Sequence, residues 1–286
     1  MATFTNQATL TYRGNTVNSN IVAGEIIEPL SIDKTSLTPT YEPGGNVVYV
    51  VNFINSGTAA LNDMTFTDNL GAYSFGTETV TPLSYVGGTV NYYVNGVRQP
   101  TPNVADTDPL TLTGISLPAG AVGTLVYQTI VNEFAPIMVG GTINNTATLS
   151  RCGLGEAVSD DATVTVSSAP RLDITKAIAP STIGPNGQIT YTLTVLNYGN
   201  TATTVGDNVQ IVDTFDPALS DVTATYNGAT WTAGTDYTYD STTGLFRTVP
   251  DRITVPAATY IQDPVTGAYS TDPGVAVVTV TGNVVG

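Results

Sequence analysis

A chain of 286 residues suggests about two domains, and an apolar fraction of 41% is enough to give each a core, which argues against a disordered chain. A formal net charge of −15 repels phosphate backbones and anionic lipid surfaces, so neither a nucleic-acid partner nor membrane docking is expected, and no apolar run of about 18 residues is present to span a bilayer. The sequence has no histidine, which removes Ser–His nucleophile activation and imidazole metal ligation; no enzyme activity, metal or cofactor is expected.

Taken in chain order, the first segment, Met1 to Asn6, has neither a basic n-region nor an apolar h-region, so no secretory leader is expected in it. Asn6 to Thr11, a turn at Gly14 and Val17 to Asn20 read as a hairpin. Leu30-Ser-Ile-Asp-Lys34 follows, then Val47 to Asn55, alternating with the period of two of a half-buried strand. Thr67-Asp-Asn-Leu70, the turn pair Asn95-Gly96, Ile115 to Ala119 and Leu125 to Ile130 continue the pattern. Asn145 to Ser150, Gly153 and Val158 to Val166 read as a closing hairpin, and Ser167 to Pro170 as a connection, because proline cannot donate to a strand ladder.

The same motifs then return. Leu172-Asp-Ile-Thr-Lys176 repeats the strand at Leu30, and Ile189 to Asn197 repeats Val47 to Asn55. Val212-Asp-Thr-Phe215 repeats Thr67 to Leu70, with Asp213 at the place of Asp68. Ile253 to Ala257 repeats Ile115 to Ala119, and Asn227-Gly228 supplies a second tight turn. Copy two runs on through Val275 to Val280 without an equivalent of the closing hairpin. That equivalent stands at the front of the chain: Asn6 to Thr11 matches Asn145 to Ser150, and Val17 to Asn20 matches Val158 to Asp161. The chain reads as two repeat units cut out of phase.

The expected fold is all-β: two immunoglobulin-like antiparallel sandwiches with an N-terminal hairpin arm. The expected divisions are residues 1–27 for the arm, 28–168 for the first repeat and 169–286 for the second, which lacks its closing hairpin. An uncovered groove and unpaired edges risk uncontrolled association. The arm could fold back onto its own second repeat, or enter that of another copy as a donated hairpin. The second route makes an open head-to-tail homopolymer, and is the one expected. Ala8, Leu10, Tyr12, Val17 and Ile21 are the residues expected to face the acceptor core, as Ala147 and Leu149 should in the first repeat.

The ordered set Leu-x-Ile-x-Lys, Tyr-x-Val/Leu-x-x-x-Asn-x-Gly, Thr/Val-Asp-x-Leu/Phe and Asn-x-Ala-Thr-Leu resembles the bacterial surface-protein repeat known as domain of unknown function eleven, in two copies over nearly the whole chain. The resemblance implies an immunoglobulin-like cell-surface or appendage component of Gram-positive bacteria. A spore appendage is the variant that would suit a chain without a leader, and a surface adhesin or glycan-binding module is the alternative function, its host-surface or glycan ligand unspecified.

Lys34 and Lys176 are the only lysines, and they hold equivalent positions. With Asp68 and Asn145 in copy one, and Asp213 and, by phase, Asn6 in copy two, they supply the amine, acid and amide that a self-forming isopeptide bond needs. An ordinary Lys–Asp ion pair at a strand end is the simpler reading of the same residues. Cys152, the sole cysteine, excludes an intrachain disulfide and leaves an idle thiol or an intermolecular disulfide. Asp106, Asp108, Asp160 and Asp161 match no calcium loop and read as turn acids. Asp236, Tyr237, Tyr239 and Asp240 could form a sugar subsite, although cross-strand packing explains such tyrosines as well.

Overall fold

A computed structural model describes residues 2–26, 29–151 and 157–284. Cys152 and the turn at Gly153 lie outside the described residues. No helix occurs among those described, and the sheets are built mainly from antiparallel strand pairs. The chain divides into two compact units, 1–135 with 142–165, and 136–141 with 166–286. The arm is grouped with the first unit, and the linking Ser167 to Arg171 has no regular structure.

The first unit is a sandwich of two sheets. One runs in the order Val97–Arg98, Asn91–Val94, Val122–Val131, Asn46–Asn55, Leu30–Ser36. The other runs Asn103–Thr107, Leu110–Leu117, Leu61–Asp68, Thr142–Ser150, Val158–Val166, Thr40–Tyr41. Alternation builds the core directly: Val47, Tyr49, Val51 and Phe53 point one way from one strand, all fully buried, and meet Leu125 and Tyr127 on its neighbour. Phe66, Leu112, Ile115 and Leu149 close the core from the facing sheet. Burying each such side chain contributes roughly 1.5–3 kcal/mol.

The second unit repeats the first sheet as Leu172–Ala179, Gln188–Asn197, Gly274–Val284, Leu219–Tyr226, Ala229–Thr230. Its facing sheet is shorter: Val212–Thr214, Leu245–Thr248, Tyr237–Asp240. The core between them gathers Leu193, Val195, Phe215, Phe246, Val255 and Val278. The two copies share register, since Lys34 pairs with Val51 and Lys176 with Leu193. They also share a corner. Asn55 and Asn197 are both fully buried; each Nδ2 donates to loop carbonyls and each Oδ1 accepts from the glycine N–H two residues on, at Gly57 and Gly199. These are the Asn-x-Gly motifs of the sequence, and their job is to satisfy buried backbone.

One turn in the first unit is confined to glycine. Gly71 has φ +73°, and a Cβ there would sit 2.4 Å from Ile143 Cγ2. Gly71→Ala should therefore destabilise the first unit by about 1–3 kcal/mol, read as a lower unfolding midpoint; Gly14→Ala in the arm, where nothing lies within 4 Å, should share only the backbone part of that cost.

Candidate assembly site

The arm is a two-part hairpin. Ala2–Asn6 pairs with Val22–Ile26, and Thr9–Tyr12 pairs with Asn15–Asn18 around the turn at Arg13 and Gly14. Its apolar residues face solvent: Leu10 is 63% exposed, and Tyr12, Val17 and Ile21 are exposed to a similar degree, as is Ala8. A hairpin this open to water does not account for its own apolar residues.

Its ladder reproduces that of the first unit's closing hairpin. There Leu149 pairs with Val158 and Thr148 with Ser159; in the arm Leu10 pairs with Val17 and Thr9 with Asn18. The sequence match thus carries the pairing register as well as residue type. The match ends at a slip of one residue. Asn145 pairs with Ala162 in the first unit, whereas Asn6 pairs with Val22 in the arm, leaving Ile21, the counterpart of Ala162, between the two ladders. Ile21, expected to face an acceptor core, thus lies outside both ladders of the arm.

In the first unit the closing hairpin occupies a defined place. Its Thr142–Ser150 strand pairs with Leu61–Asp68, Ala147 opposite Asp68 and Leu149 opposite Phe66, and Ala147 and Leu149 are fully buried. In the second unit the corresponding Val212–Thr214 strand pairs with Leu245–Thr248 and, among the described residues, with no strand on its other edge. Beside that edge lies a cleft of about 250 Å³ lined by Leu172, Ile174, Val195, Val209 and Ile211. The Leu172–Ala179 strand is exposed along its whole length, Ile174 to 49%, whereas the equivalent Ile32 is half-buried.

The lysines report the same difference. Lys34 is 3% exposed; its Nζ lies 2.6 Å from Asp68 Oδ2 and over the Tyr49 ring. Burial pushes the amine below the ordinary lysine range, an effect partly opposed by Asp68. Tyr127 donates a short hydrogen bond to the same Asp68 oxygen, and Leu70 N–H donates to the other. Burial raises both Tyr127 and Tyr49, with Asp68 adding to the rise. Asn145, fully buried, accepts from the Gly71 N–H at 3.1 Å; its Nδ2 has no hydrogen-bond acceptor, although the amide lies close enough to the Tyr49 and Tyr127 hydroxyls to offset part of that rise. The structure thus gathers Lys34, Asp68 and Asn145 about one pair of tyrosines.

In the second unit Lys176 Nζ lies 2.5 Å from Asp213 Oδ2 and over the rings of Tyr191 and Phe215, with side-chain exposures of 40% for the lysine and 16% for the aspartate. Val280 stands where the first unit has Tyr127, as their pairings with Tyr191 and Tyr49 show. Sequence reasoning missed Tyr127 for that reason: the repeat flags only what both copies keep. It also missed Val209 and Ile211, although Ile211 is at the place of Phe66, two residues before the matched aspartate.

The acids considered for calcium are used locally. Asp160 accepts from the Lys34 N–H at 2.7 Å, and Asp106 accepts from the Thr107 and Asp108 N–H groups. The residues considered for a sugar are committed to structure: Tyr237 is core, Tyr239 is hydrogen-bonded to the Leu219 backbone, and Asp236 and Asp240 hold turns through the N–H groups of Thr232 and Thr242.

No protein-family model matches the chain, and no curated protein matches it. Solved structures that align with the chain include the 35 kDa C-terminal fragment of the major pilin GBS80 of Streptococcus agalactiae, at 13% identity and TM-score 0.35, over 51% of this chain and 58% of that one. The pilus backbone RrgB of Streptococcus pneumoniae aligns at 14% identity and TM-score 0.35, over 85% of this chain and 55% of that one. BcpA, the major pilin subunit of Bacillus cereus, aligns at 11% identity and TM-score 0.36, over 95% and 73%.

Proposed function

We propose that this chain is a structural subunit of a bacterial surface filament, without catalytic activity, and that it polymerises head to tail by placing its residue 1–27 hairpin in the second unit of the next copy. The observation that carries this reading is the shared register. The arm presents Leu10 opposite Val17 as the closing hairpin presents Leu149 opposite Val158, and among the described residues the second unit has an unpaired edge where the first unit holds that hairpin. Transferred by the repeat, Ala8 would lie opposite Asp213 and Leu10 opposite Ile211, which lines the cleft. Main-chain ladders supply affinity and the alternating apolar set fixes register. A hairpin of this size buries roughly 1,000 Å² or more, within the range of stable interfaces. Placement on the outside of a cell rests on the resemblance of the ordered motifs.

Electron microscopy of the purified protein should show filaments, and a synthetic peptide of residues 2–24 should shorten them, because it fills the acceptor without offering a new one. Leu10→Arg should block growth, since it sets a charge against Ile211 and Val195. Filaments of unchanged length with excess peptide, formed equally well by Leu10→Arg, would contradict the reading. Monomers in which each arm protects its own second unit from proteolysis would assign the hairpin to its own chain instead.

A further inference from the structure

The cluster around Lys34 is more elaborate than an ion pair requires. A buried Lys–Asp pair needs satisfied hydrogen bonds, and this one has them in Tyr127 and the Leu70 N–H. Asn145 adds nothing to that pair. Its carbonyl is held by the Gly71 N–H, and its Nδ2, fully enclosed, lacks an acceptor. An amide oriented through its oxygen, with its nitrogen left free, is arranged as an electrophile. Asn145 sits two residues from Ala147, which pairs with Asp68, so both side chains leave their neighbouring strands on the same face.

We propose that Lys34 and Asn145 react to form an amide cross-link through Asp68, and that the second copy of the site, Lys176 with Asp213, does the same with Asn6 of the incoming hairpin, joining successive subunits covalently. The second half rests on the donated-hairpin reading; the first half does not.

The chemistry balances without a co-reactant. Asp68 takes a proton from the Lys34 ammonium, and burial favours the resulting neutral amine. Nζ attacks Asn145 Cγ, and negative charge develops on Oδ1, where the Gly71 N–H already donates. Asp68 then returns a proton to Nδ2, the Cγ–Nδ2 bond breaks with its electron pair leaving on nitrogen, and ammonia departs, taking up the remaining amine proton. One C–N bond forms and one breaks, with no change of oxidation state. In the free second unit Lys176 is half hydrated and lacks its amide. The same step there waits for a hairpin that brings Asn6 and excludes water.

Peptide mapping of the full-length protein tests both halves. A branched peptide joining Lys34 to Asn145 is expected, with an intact mass below the sequence mass by one ammonia per bond. Fragmentation locates the branch and separates it from ring closure at Asn95-Gly96 or Asn227-Gly228. Polymers should contain a second branch from Lys176 to Asn6 and survive boiling in detergent, whereas Lys176→Arg polymers, whose partly exposed side chain is safe to exchange, should assemble and then dissolve. Recovery of Lys34 and Asn145 only in unbranched peptides overturns the proposal. Wild-type polymers that dissolve in hot detergent overturn the intersubunit bond and leave the donated hairpin standing. If no polymer forms, that hairpin reading fails instead, and the Lys34–Asn145 map still decides the reaction.

Discussion

Removing residues 2–24 should abolish filaments and leave a soluble chain whose first unit is intact. The arm's own ladders are confined to itself, Ala2–Asn6 with Val22–Ile26 and Thr9–Tyr12 with Asn15–Asn18, so the deletion takes no strand from either sheet of the first unit. The whole effect should therefore fall on assembly. Measured by sedimentation or microscopy, the expected change is from polymer to monomer, with the truncated chain still able to cap wild-type filaments at one end because its acceptor edge remains. Polymers of ordinary morphology from the truncated chain would end the donated-hairpin account.

The second large effect is on stability, and it should differ between equivalent residues. Asp68→Ala leaves Lys34, 3% exposed, without the carboxylate that pairs with its ammonium, and the remaining acids Asp160 and Asp161 act on it more weakly. An uncompensated buried charge costs about 3–5 kcal/mol, which for a unit of this size lowers the unfolding midpoint by on the order of 10 °C. Asp213→Ala in unassembled protein should cost about 1 kcal/mol or less, because Lys176 can reach water. Calorimetry that resolves the two units would show one transition falling and the other nearly still. Equal shifts from the two substitutions would mean that the second site is already closed in the free subunit.

Much of this was legible because the repeat is written in residues that cannot easily be exchanged. Asn55 and Asn197 satisfy a buried corner, Asp68 and Asp213 face the two lysines, and alternation from Val47 to Phe53 marks a strand with one wet face. The phase of the copies also marked the front segment as a second version of the closing hairpin, and the arm keeps that hairpin's pairing register. What escaped notice was decided by non-local geometry. Sheet order depends on pairings between distant segments, so the edge position of Val212–Thr214 has no local signature. Tyr127 reaches Asp68 from the opposite sheet, and its partner copy carries Val280. The slip beside Ile21 follows from hairpin ladders meeting out of step, which residue type alone does not encode.

The half-hydrated ammonium of Lys176 has a consequence for fidelity. An open cleft beside a strand edge that is unpaired among the described residues would accept almost any extended segment, including one from an unfolded neighbour. The cation of Lys176, two residues along the same strand from Ile174, would make that acceptance conditional. Any strand that covers Lys176 strips its water, and one offering only methyl groups there returns nothing for the loss. On the donated-hairpin reading the arm would present the carboxamide of Asn6 and the small Ala8 at that point, leaving room for the Asp213 contact. On the donated-hairpin reading the acceptor would then reject errors by itself, and Lys176→Leu should widen the range of peptides it captures while weakening its preference for its own.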